Sequence, residues 1–138
     1  MSEQHTVGEH VVRIDEDLIT VRWHGKTTIA ELQQVMGFAD RIYADRHYVL
    51  LCFDVSAAHP GNADTRRWVV DWHRGKSNLC LAAFGASLVV RTLLVLINSA
   101  ARLFNRETTP MQFFASEGDA SAWLAGQRTE LKRMVGRT

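Results

Sequence analysis

Six histidines (His5, His10, His24, His47, His59 and His73) and two cysteines (Cys52 and Cys80) are the side chains of this 138-residue chain best suited to hold a metal or act as base or nucleophile. A zinc site needs its ligands gathered by spacing, and no H-x-H, H-E-x-x-H or C-x-x-C occurs, so neither a metal nor another cofactor is implied. Both cysteines lie inside apolar runs, the setting of reduced, buried thiols rather than of a disulfide framework. Around Ser87 the string Phe84-Gly85-Ala86-Ser87-Leu88 lacks the second glycine of a G-x-S-x-G elbow, so that serine reads as a helix cap. Gly25-Lys26-Thr27-Thr28 ends like a phosphate-binding loop, but the motif requires glycine where Thr20 stands. Without it the backbone amides cannot wrap a phosphate chain, and the string reads as a turn with a helix cap. No spacing gathers nucleophile, base and oxyanion donor, so the chain is not read as an enzyme.

Charge gives a second set of candidates. Sixteen Lys and Arg against fifteen Asp and Glu leave a formal charge of +1, too little to draw the whole molecule onto nucleic acid or an anionic membrane. Locally, Arg66, Arg67 and Arg91 fall where they can line the carboxyl ends of strands, the usual ligand-binding end of an α/β sheet, and would there meet an anion or an acidic partner. Arg67 is four residues from Asp71, a spacing that pairs side chains on a helix surface. Most of these basic residues, with Arg74 on the second helix, Arg102 and Arg106 on the third and Arg128, Lys132 and Arg133 near the end, read as solvated faces.

These residues are positioned by alternating elements. His10 to Ile14 and Leu18 to Trp23 are β-branched runs around Asp15-Glu16-Asp17, an antiparallel hairpin. Thr27 to Arg46 changes to helical period through Ile29, Leu32, Met36, Ala39 and Tyr43, with Thr28 and Glu31 spaced as a capping box. Tyr48 to Val55 is nearly continuous apolar sequence, the mark of a parallel strand covered on both faces. After the turn residues His59-Pro60-Gly61-Asn62, Asp64 is placed to cap a helix carrying Trp68, Val69 and Trp72, which Gly75 would end. Leu79 to Phe84 reads as a strand, Leu88 to Phe104 as a helix, Met111 to Ala115 as a short strand, and a last helix starts at Ser116 and either continues or breaks near Gly126.

The order β-β-α-β-α-β-α-β-α predicts one α/β domain over residues 10–135, a mostly parallel sheet with an antiparallel hairpin strand at its N-terminal side, preceded by a flexible segment over residues 1–9. An apolar content of 46% with 22% charged residues is ordinary for a chain that folds alone. The polar start MSEQHTVGEH is no secretory signal, and Leu88 to Ala101, broken by Arg91, Asn98 and Ser99, falls short of the roughly 18 apolar residues of a spanning helix. A cytoplasmic, non-transmembrane protein is expected.

The helix Leu88 to Phe104 is the least ordinary element. Arg91, Thr92, Asn98, Ser99, Arg102, Asn105 and Arg106 crowd into an arc of roughly 140°, leaving the rest apolar, more than one sheet face uses. Val90, Leu93, Leu94, Ile97, Ala101 and Phe104 are therefore the candidates for burial against a second copy, another protein or a lipid chain, with neighbouring helices as the plainer alternative.

Gly25 with Thr28-x-x-Glu31-Leu32, Tyr48-Val-Leu-Leu-Cys-Phe-Asp54, Phe84-Gly85-Ala86-Ser87 and Ala120-x-x-Trp123-Leu124, taken in order, resemble the STAS domain family, in particular its SpoIIAA-like branch of small stand-alone bacterial proteins. The resemblance implies a non-enzymatic protein-interaction or regulatory module of a signalling system with a protein partner; contacts are expected at the Ser56 to Arg67 region and at the third helix, whose apolar surface also predicts a homodimer. Anti-sigma antagonists of that family carry D-S-S-G with a phosphorylatable serine at a helix start. Here Asp54-Val55-Ser56 resembles the beginning of that region, but Pro60-Gly61-Asn62-Ala63-Asp64-Thr65 replaces the motif, leaving Ser56 and Thr65 as the phospho-switch candidates beside Asp64, Arg66 and Arg67. SpoIIAA-like proteins are also similar in fold to Sec14-type lipid-binding domains, which makes a carrier of lipid or a small apolar ligand the alternative.

Overall fold

Alternation along the central strand sets the layers. In the computed structural model, which describes residues 2–74, 76–104 and 111–136, Val49, Leu51, Phe53 and Val55 face one core while Tyr48, Leu50 and Cys52 face another. The elements are β1 (Glu3–Val7), β2 (His10–Asp15), β3 (Leu18–Gly25), α1 (Ile29–Arg46), β4 (Val49–Ala58), α2 (Ala63–Arg74), β5 (Leu79–Phe84), α3 (Leu88–Phe104), β6 (Gln112–Phe114) and α4 (Glu117–Val135). They form a single α/β domain around a six-stranded mixed sheet in the order β1-β2-β3-β4-β5-β6, antiparallel from β1 to β3 and parallel from β3 to β6.

Each parallel strand lies beside its predecessor and the sheet advances in one direction, so right-handed crossovers put α1, α2 and α3 on the same face. Leu32, Val35, Met36 and Ala39 of α1, Trp72 of α2 and Val90 of α3 accordingly share the first core. The helix α4 lies over the opposite face, where Ala120, Leu124 and Leu131 pack on Leu50, Cys52, Cys80 and Ala82. Its helix runs unbroken through Gly126, which has open space around it.

Two expectations need correction. Residues 3–7, read as part of a flexible start, form a strand in register with β2 from Glu3 opposite Ile14 to Val7 opposite His10. Its polar composition hid it, because an edge strand needs few apolar contacts, and here Val7 and the stacking of His5 on Phe38 supply them. The local clue was Gly8-Glu9, a two-residue loop with Gly8 at φ +61°, the form a tight hairpin turn requires. The cap of α2 also lies two residues earlier than the expected Asp64. Asn62 Oδ1 accepts from the Thr65 amide and Thr65 Oγ1 accepts from the Asn62 amide, so Asn62 caps the helix and Asp64 lies in its first turn. Gly75, Asn105 and Arg106 lie outside the described residues, as do the side chains of Ala101 and Phe104.

Candidate functional site

Two strand-to-helix turns meet at the carboxyl ends of β3 and β4. On the first, Gly25 leaves the strand at φ +68°, and Thr28 and Glu31 close the capping box of α1 with bonds of 2.9 and 3.1 Å. On the second, the His59 amide donates to the Gly25 carbonyl, tying the turns together, and the Gly61 amide donates to His59 Nδ1. Gly61 stands at φ +78° with Thr65 Oγ1 against it, a conformation and a closeness that leave no room for a side chain.

Between these turns opens a cleft in two parts. An outer space of about 470 Å³ is bounded by Lys26, Thr27, Thr28, His59, Asn62 and Asp64. An inner, apolar space of about 130 Å³ continues from it between the sheet and α2 and α3, walled by Trp23, Phe53, Val55, Val69, Leu94 and Ile97. Thr27, His59, Gly61 and Thr65 border both.

His10, which spacing could test only as a metal ligand, supports this cleft from below. It follows the inward alternation of Val12 and Ile14 and is fully buried, edge-on to Trp23. The His24 amide donates to its Nδ1 at 3.0 Å, so the proton of the neutral ring belongs on Nε2, which donates to Thr27 Oγ1 at 3.1 Å. Burial lowers its pKa below the usual histidine value, although Glu31 and Glu9 pull the other way. With Nδ1 already accepting from the backbone and Nε2 donating, His10 cannot take a proton from Thr27, and the contact holds the threonine in place rather than activating it.

The other candidates are dispersed. Ser56 is exposed and its hydroxyl donates to Asp54 Oδ1 at 2.7 Å, whereas Thr65 is buried with its hydroxyl committed to Asn62 in the cap. Arg66 lines the apolar part of the cleft and donates to the Gly61 carbonyl, and Arg67 is exposed. Arg91 instead lies over the Phe113 ring at 4.9 Å, beside β6, so the three arginines do not line one pocket. Asp71 pairs with Arg74 and not with Arg67. Burial pushes the Cys52 thiol up to about 11 and the Cys80 thiol to about 12, which leaves neither a nucleophile at neutral pH. Among the described residues no group of three or more His, Cys, Asp or Glu is placed to hold a metal ion.

On α3 the inward and outward sets differ from those expected. Val90 is buried in the core, Leu94 packs on that core and with Ile97 walls the cleft, and Leu93 is half-buried. Among the described side chains of α3, the large apolar ones facing solvent are Leu88, Val89, Val95, Leu96 and Leu103. Periodicity could not choose between them because the helix is apolar over most of its circumference; the crossover onto the sheet decides which third turns inward.

Sequence reasoning also missed an ion pair. Asp17, in the β2–β3 turn, is 3% exposed and accepts from Arg128 Nε and Nη2 at 2.8 to 3.1 Å and from the Tyr48 hydroxyl at 2.6 Å. Burial opposes its charge, but the bonds from Arg128 and Tyr48 outweigh that and hold its carboxyl below the usual range.

Fold and cleft together define an α/β domain with a ligand-sized opening at the carboxyl ends of parallel strands. Compared with family models, curated proteins and solved structures, the chain matches none. Among the described residues no helix is long and apolar enough to cross a membrane.

Proposed function

We propose that this protein is a non-catalytic interaction module of the STAS, SpoIIAA-like kind, serving a bacterial cytoplasmic signalling system and associating through the outward face of α3. One observation carries the reading. Val89, Leu96 and Leu103 recur every seven residues at 60%, 60% and 83% exposure, with half-buried Leu93 and Ala100 between them. Spacing of four and three residues is that of a seam that packs against another helix, and a second copy offers the same seam through a twofold axis. Removing side chains of this size from water contributes about 1.5 to 3 kcal/mol each when burial is complete, which favours association over leaving them hydrated. The mixed sheet with its N-terminal antiparallel strands and the helix that starts after β4 support the family reading; the missing D-S-S-G and the committed Thr65 hydroxyl leave Ser56 as the better-exposed phosphoacceptor.

Sedimentation velocity of the full chain tests the association. A dimer at micromolar concentration that Leu96→Glu converts to monomer is expected, and a wild-type chain that stays monomeric removes this use of α3. A long-chain lipid carrier has less support, since the apolar space of about 130 Å³ is close to the roughly 150 Å³ that accommodates one benzene ring.

A further inference from the structure

The cleft between the α1 and α2 turns joins two environments that select for opposite ends of one molecule. Its inner part is dry in character, with Trp23 and Phe53 of the sheet on one side and Val69, Leu94 and Ile97 of the helices on the other. Its size suits a six-membered ring or a short alkyl chain. Lys26 lines the outer opening, Arg66 of the inner lining donates to the carbonyl of Gly61 where the two parts join, and Asp64 is the single carboxylate among the lining residues. The starts of α1 and α2 lie at the same opening and add the positive ends of two helix dipoles. Lys26 and Arg66, with about half a charge from each helix start, stand against Asp64 and the Glu31 carboxylate that caps α1, leaving a surplus of about one positive charge that one negative charge balances.

We infer that this cleft binds a small amphipathic monoanion, a carboxylate whose head sits at Lys26 and Arg66 and whose phenyl-sized or short alkyl tail fills the space beneath. Neither half suffices alone. Acetate lacks the tail whose removal from water drives entry, and an uncharged alcohol lacks the head that satisfies the cations. Thr27, fixed by His10, and Thr65, fixed by Asn62, border the junction of the two parts and give it a preformed shape. The inference does not rest on the outer face of α3, which is the opposite side of that helix from Leu94 and Ile97.

Titration of the full chain with hexanoate, phenylacetate, acetate and hexanol, followed by amide chemical shifts, tests it. Hexanoate and phenylacetate are expected to bind saturably, each about tenfold or more tighter than acetate and than hexanol. Shifts should concentrate at Lys26, Thr27, Val69 and Leu94. Lys26→Ala, at an exposed position, should weaken hexanoate about fivefold or more and leave hexanol unchanged. Leu94→Phe, which fills the inner space, should reduce hexanoate to the level of acetate. Equal binding of hexanoate and hexanol, binding unaffected by Lys26→Ala, or shifts confined to Leu96 and Leu103 would overturn the assignment. Because sedimentation of Leu96→Glu reads association separately, failure here and failure of the α3 interface are distinguishable.

Discussion

The two long helices on opposite faces of the sheet, α3 and α4, solve the same packing problem differently. Each buries an apolar stripe, but α4 turns Glu117, Asp119, Thr129, Glu130 and Lys132 to solvent, whereas α3 turns out Leu88, Val89, Val95, Leu96 and Leu103. The α4 helix is additionally tied to the β2–β3 turn by Arg128 on Asp17, a contact across 111 residues. One helix is finished by water and by an ion pair; the other has an outer face that water finishes poorly. Of the two helices, α4 therefore carries the ion-pair anchor and α3 the outward apolar face.

The largest effect should follow from cutting the anchor. Arg128→Met leaves Asp17 almost fully buried without its cation, the situation in which one partner of a buried pair is worth about 3 to 5 kcal/mol. A fall of that order in unfolding free energy, measured in denaturant with little change in slope, is expected. Tyr48→Phe removes only the hydroxyl at 2.6 Å and should cost less, about 1.5 to 3 kcal/mol for a bond to a charged group. If both variants unfold like the parent, α4 is held by its apolar stripe alone and the contrast with α3 fails.

Mild acid should separate the two layers. His73 on α2 is buried with no hydrogen-bond partner for Nδ1 among the described residues, and burial, aided by the nearby Lys76 charge, brings its pKa down to about 4. Between that value and the ordinary histidine value of about 6.5 the unfolded chain binds more protons than the folded one, so stability falls as pH falls through this window. His10 adds in the same direction. The carboxyl of Asp17 acts in the same direction but in a lower window: its folded value lies below 3.8, so its contribution persists from pH 7 to about pH 4 and is lost only in stronger acid. Amide exchange at pH 5 against pH 7 should therefore lose protection first in the α1–α3 layer, with α4 changing less. His73→Phe should flatten the pH dependence in part, the His10 share remaining.

Legibility followed the range of the signal. The hairpin of β2 and β3, the capping box of α1 and the doubly covered strand β4 are written in consecutive residues, and the structure carries all three. The edge strand β1 was hidden because its pairing is by backbone, and Asp17 with Arg128 because no local pattern joins residues so far apart in the chain. The cleft needed Gly25 and Gly61 brought together by a parallel crossover; both turns were visible singly, but their meeting was not. Ser56, Thr65, Arg66 and Arg91 suit a site by type, but Ser56 stands on β4, Thr65 and Arg66 on α2 and Arg91 on α3, and the fold does not bring the four to one place.

The smallest expected effect on stability is the sharpest test of the contrast. Leu96 is 60% exposed at mid-helix, so Leu96→Glu removes little buried area, and glutamate has helix propensity close to that of leucine. Within the monomer the change should therefore lie within about 0.5 kcal/mol, read from denaturant unfolding at a concentration low enough to dissociate any dimer. The same substitution places a charge in the centre of the proposed seam, where two copies would each bury it without a partner, and should abolish association. A large loss of monomer stability would mean that Leu96 is already covered within the chain, making α3 a second structural helix like α4. An unchanged monomer with lost association would make it the side of the molecule left open for a partner.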